Sequence, residues 1–93
     1  MTTNQSEVYV CPLSPNVTTD HLREIMGNFG EIYSVDLESI SGCPDRQIGK
    51  VQFNDSESAR SALTHMDRGE IDGLRIRVTF EKPEGDDLQR LIK

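Results

Sequence analysis

Two apolar stripes of identical helical spacing, each set between short β-branched runs, restrict this chain more than any other feature. Leu22, Ile25, Met26 and Phe29 fall at i, i+3, i+4 and i+7, and Ala59, Ala62, Leu63 and Met66 repeat that spacing. Such a stripe gives a helix one apolar face. Thr18 stands at the N-cap position of the first helix with Asp20 in its first turn, Gly30 follows its end, and Asp55 can cap the second. Four extended runs surround these helices. Val8–Cys11 is β-branched and aromatic and is stopped by Pro12. Ile32–Glu38 alternates Val35 and Leu37 with Asp36 and Glu38, Ile48–Phe53 turns Val51 and Phe53 inward, and Leu74–Phe80 does so with Ile76 and Val78. Ser39–Asp45 is rich in turn residues and reads as a hairpin loop, and a loop carrying Gly69 and Gly73 precedes the last strand.

The order β-α-β-β-α-β predicts an α+β, ferredoxin-like sandwich: a four-stranded antiparallel sheet with two helices on one face. The folded domain is expected over residues 7–83, after a disordered polar segment 1–6 and before a tail 84–93. With Val8 and Val10 turned to the core, the period of two sends Tyr9 and Cys11 to the face the helices leave open. Asp36, Glu38, Ile48, Lys50, Gln52, Arg75, Arg77 and Thr79 are expected on that face too, which makes it a binding platform.

Ninety-three residues suffice for one domain. Ten Lys and Arg against sixteen Asp and Glu give a net charge of −6, which argues against non-specific binding to phosphate or acidic membrane. A nucleic-acid role then needs a local patch, and Arg46, Lys50, Arg75 and Arg77 supply one, opposed by Asp36 and Glu38. No apolar run is long enough to span a membrane, and Met1–Ser6 has neither the basic nor the apolar stretch of a targeting peptide. Cys11 and Cys43 have no neighbouring Cys or His at ligand spacing, so they read as reduced thiols of the cytosol or nucleus rather than a disulfide or metal site. No cofactor is called for. His21 and His65 lie on different helices, with no nucleophile or carboxylate at recognisable spacing. Small hydrolases of this topology need an Arg and an Asn after the first strand, whereas Pro12–Asn16 has one Asn and no Arg. The chain does not read as an enzyme.

Val8-Tyr9-Val10-Cys11-Pro12-Leu13 and Arg46-Gln47-Ile48-Gly49-Lys50-Val51-Gln52-Phe53 resemble the six- and eight-residue signatures of the RNA-recognition motif, and the resemblance runs from Glu7 to Pro83. Asn16–Leu22 and His65–Gly73 are similar to the single motif of the family of RNA-binding proteins with a serine-rich domain, accessories of spliced-mRNA and exon-junction complexes. The resemblance implies a nuclear mRNA-splicing or processing factor. It implies single-stranded RNA on the sheet, through Tyr9, Arg46, Ile48, Lys50, Gln52, Arg75 and Arg77. It also implies other splicing-associated proteins on the helical side, where His21, Glu24, Arg60, Ser61 and His65 point outward, or on the tail. The domain alone is expected to be monomeric.

The departures from the family pattern weaken the RNA contact. Ile48 and Lys50 stand where firm binders place aromatics, so Tyr9 alone remains of three stacking platforms. At about 1–3 kcal/mol per stacked base, two lost platforms cost ~2–6 kcal/mol. Pro12 replaces a common Asn and removes a donor. The alternative is a purely protein-binding scaffold without RNA contact. In the tail, Leu88, Leu91 and Ile92 share one helical face, but eight residues do not hold a helix alone in water. The tail is either frayed or a third helix that packs on the domain, over Tyr9, or docks into a partner.

Overall fold

The computed structural model describes residues 6–40 and 42–92. The expectations for Met1–Gln5, and for Ser41 in the hairpin, lie outside these. In chain order the elements are β1 (Glu7–Leu13), α1 (Thr19–Met26), a 3₁₀ turn (Gly27–Phe29), β2 (Ile32–Ile40), β3 (Cys43–Phe53), α2 (Ser56–Met66), β4 (Glu70–Ile71), β5 (Leu74–Arg75), β6 (Arg77–Thr79) and α3 (Gly85–Ile92). The main sheet has the order β2-β3-β1-β6 with every neighbouring pair antiparallel. This is the ferredoxin-like α+β arrangement that the element order predicts.

The caps form as the sequence indicates. Thr18 Oγ1 accepts from the His21 N–H at 3.2 Å, and Asp55 Oδ1 accepts from the Ser58 N–H at 2.9 Å. Each bond satisfies a donor that the first helical turn would leave without a partner. Val8, Val10, Val51, Phe53 and Val78 of the sheet pack with Leu22, Met26, Ala59 and Ala62 of the helices in one core. Burying side chains of this size contributes about 1.5–3 kcal/mol each. Gly49 lets α1 come close to β3: a Cβ there would lie 2.6 Å from a Leu22 methyl and 2.8 Å from a Leu13 methyl.

Two expectations need correction. The hairpin between β2 and β3 is much tighter than Ser39–Asp45, because the ladder continues to an Ile40–Cys43 pair. Ile40 is buried, and holding it there keeps residues with turn propensity inside the ladder. The expected fourth strand is also split. Leu74 and Arg75 pair with Ile71 and Glu70 in a separate hairpin, and only Arg77–Thr79 join the main sheet. Asp72 and Gly73 turn that hairpin with φ of +51° and +85°, the backbone that an Asp-Gly pair adopts between two strands. Asp-Gly flanked by Ile71 and Leu74 was the legible signal for it. Where the hairpin meets β6, Ile76 donates to Gly69 O at 2.9 Å and accepts from the Arg68 N–H at 2.8 Å.

Candidate nucleic-acid interface

On the sheet face opposite α1 and α2 the register fixes the neighbours. Asp36, Lys50, Tyr9 and Thr79 stand side by side across β2, β3, β1 and β6. Ser34, Gln52 and Glu7 form the row on one side of them, and Glu38 with Ile48, and Cys11 with Arg77, lie on the other. Tyr9 and Lys50 are therefore cross-strand partners on the two central strands. Both side chains lie on the face that the strand period of two assigns them.

One carboxylate organises that pair. Tyr9 Oη donates to Glu7 Oε1 at 3.3 Å, and Lys50 Nζ lies 3.2 Å from Glu7 Oε2. Its hydrogen bond and charge hold the Lys50 ammonium above its ordinary pKa. Partial burial, together with the Glu7 charge, pushes the Tyr9 hydroxyl up as well. Farther along the face, Lys82 Nζ lies 3.0 Å from Glu38 Oε1. At the β6 edge, Asp67 Oδ1 accepts from Arg77 Nε at 2.7 Å and from the Val78 N–H at 3.0 Å. Burial works against the Asp67 carboxylate, but these hydrogen bonds outweigh it and hold its pKa below the ordinary value.

The face is consequently less basic than the residue count implied. Lys50 and Arg77 each have a carboxylate partner. Arg75 lies outside the four-stranded sheet, opposite Glu70 on the β4–β5 hairpin, so its expected place on the platform is corrected. Arg46 is half-buried and donates from Nη1 to the Asp45 carbonyl at 2.9 Å. Gln52 keeps its place, accepting from Ser34 Oγ at 3.5 Å. Glu7, Asp67 and Lys82 were missed by sequence reasoning. Glu7 shares the parity of Tyr9 and was open to the same argument, whereas nothing local marked Lys82. Tyr33, 70% exposed at the irregularity between Ile32 and Ser34 on edge strand β2, was not singled out either.

Nor is the face open along its whole length. Lys82 follows β6 at one edge by three residues yet pairs with Glu38 of β2 at the other edge, so the chain turns back across the sheet. Pro83 is buried in that crossing. Then α3 lays Leu88 and Leu91 against a small second core of Cys11, Ile40 and Ile48, on which Tyr9 and Cys43 also pack. Ile48 points to the expected side but is only 5% exposed, and Cys11 only 1%. Burial pushes the Cys11 thiol up to about 11, with a smaller push from Cys43. Tyr9 stays partly exposed, and its cross-strand neighbour Thr79 lines a cavity of about 320 Å³ together with Arg77, Lys82 and Leu91 among others.

A four-stranded sheet in this order, with two helices behind it and an aromatic beside a lysine on its central strands, is the fold of an RNA-recognition motif. A family model described as "RNA recognition motif" matches residues 8–77, and the chain belongs to that family. It is 38% identical over 76 residues to RNA-binding protein with serine-rich domain 1 of Danio rerio, covering 80% of this chain and 27% of that protein. It is 38% identical over 78 residues to the serine/arginine-rich splicing factor SR45 of Arabidopsis thaliana, covering 82% of this chain and 19% of that protein. The chain thus spans about a quarter or less of these curated relatives. Among solved structures, the Mip6 RRM3 domain matches with a TM-score of 0.77 at 16% identity, over 86% of this chain and 96% of that one. The Pes4 RRM3 structure matches with a TM-score of 0.74 at 16% identity, over 87% and 96%. These two likenesses concern the fold alone.

Proposed function

We propose that this domain is the RNA-contacting module of a nuclear mRNA-splicing or processing factor. It holds single-stranded RNA weakly on its sheet and joins other splicing-associated proteins through its helical side. The observation that carries the RNA contact is the cross-strand pair of Tyr9 and Lys50 on β1 and β3. A base stacks on the ring while a phosphate meets the ammonium, a division of labour common to single-strand binders. Gln52 and Arg77 stand in the rows beside that pair and contribute hydrogen bonds and charge, and Arg46, four residues before Lys50 on β3, adds charge farther along the strand. Ile48 and Arg75 have lesser parts, one being covered and the other standing off the sheet. The name of the second relative, a splicing factor, supports the splicing context, and nuclear location and exon-junction association belong to the same proposal. On the helical side His21, Glu24, Arg60 and His65 are exposed and available to a protein partner.

Fluorescence anisotropy with a labelled single-stranded RNA at low salt tests the contact. Tyr9→Ala is expected to weaken binding by about 1–3 kcal/mol, and Lys50→Glu to flatten its salt dependence by about one phosphate. Unchanged affinity in Tyr9→Ala would remove the stacking assignment. A purely protein-binding scaffold is the second reading, favoured by the burial of Ile48 and by the carboxylates on Lys50 and Arg77. It requires that wild-type protein leave RNA anisotropy unchanged even at millimolar protein.

A further inference from the structure

We propose that α3 is a built-in competitor for the sheet: its Leu88 and Leu91 and a strand of RNA exclude one another from the surface of Cys11, Ile40 and Ile48. This rests on the RNA contact proposed above. The aliphatic Ile48, at a position where firm binders in this family place an aromatic, acquires a purpose in this arrangement. Together with Ile40 and Cys11 it forms an apolar seat of the right chemistry for two leucines one helical turn apart.

The seat lies next to the Tyr9–Lys50 row. Tyr9 and Cys11 are two residues apart on β1, about 7 Å at the rise of a strand. An oligonucleotide longer than one or two bases, stacked on Tyr9 and extended along the strand, therefore runs into the helix. The crossing segment adds a second obstacle, since the Lys82–Glu38 pair spans the face and Pro83 is buried in it.

The cover is shallow. A helix of eight residues does not persist alone in water, so α3 exists through its contacts with the sheet. Losing two apolar anchors then shifts the equilibrium toward an uncovered face. RNA affinity scales with the uncovered fraction, and a cover in place nine-tenths of the time weakens RNA binding about tenfold.

The test uses the full 93-residue chain with Leu88→Gln and Leu91→Gln together, which leave net charge and helix propensity nearly unchanged. Gln89→Ala, on the exposed side of α3, is the control. Neither leucine belongs to the main core, and a circular dichroism melt checks that the fold survives. Iodoacetamide labelling of Cys11, read by mass spectrometry against glutathione alkylated in the same reaction, reports uncovering without RNA. The double variant is expected to label about tenfold faster, and to bind a fluorescein-labelled single-stranded RNA decamer about tenfold more tightly. The control is expected to match wild type in both. Unchanged Cys11 labelling overturns the cover. Faster labelling with the same measurable RNA affinity overturns the competition and leaves the RNA contact standing. Absence of binding by both proteins removes the competition and the RNA contact alike.

Discussion

Tyr9 and Lys50 share one carboxylate, Glu7, whose two oxygens face the phenol and the ammonium. Both members of the ion pair are substantially exposed, at 42% and 34% of their side chains, so the pair adds little to stability. Under the proposed RNA contact, a phosphate approaching Lys50 would have to displace Glu7. Glu7→Gln is therefore expected to tighten RNA binding by a few-fold, and to steepen the logarithmic salt slope by about 0.7, with unfolding in urea almost unchanged. Asp67 is a different case, bonded to Arg77 and to the Val78 backbone at the sheet edge. Its pKa is depressed from the ordinary 3.8. Its contribution is thus complete above that value and is lost as pH falls through the lower folded value. Asp67→Asn is expected to cost about 1 kcal/mol at pH 7, with the gap between wild type and variant in urea unfolding narrowing as pH falls below 3.8. Strand parity alone placed Tyr9, Lys50 and Gln52 on the right face. It failed for Arg75 because the parity presumed one unbroken strand, and it gave no view of which cations were already paired.

Helices α1 and α2 were legible because stripe and N-cap agree for each, so local preference and tertiary packing point the same way. The strands were legible in place but not in length, since Ile40 is drawn into the ladder by burial rather than by its turn-rich neighbours. The β4–β5 hairpin carried an Asp-Gly signal that a two-residue strand on either side made easy to overlook. The apolar face of α3 was visible in Leu88 and Leu91. Its resting place depends on the seat that Ile48 and Cys11 form only after the sheet assembles. The contact between α1 and β3 gives the clearest stability test at this scale. Gly49→Ala forces its methyl against Leu22 and Leu13, both fully buried. It is expected to cost about 1–3 kcal/mol in urea unfolding.

The whole domain carries a net charge of −6, and the cations Lys50, Lys82 and Arg77 each meet a carboxylate. Long-range attraction for a polyanion is therefore small, and the proposed RNA contact rests on Tyr9 and its neighbours. Titrating the isotopically labelled chain with a single-stranded RNA decamer at low salt, and following backbone amide shifts, locates that contact directly. The account predicts shifts concentrated at Tyr9, Lys50 and Gln52 on the central strands, with further changes in Leu88 and Leu91 as α3 yields. Shifts confined to α1 and α2, or none at millimolar RNA, would contradict it.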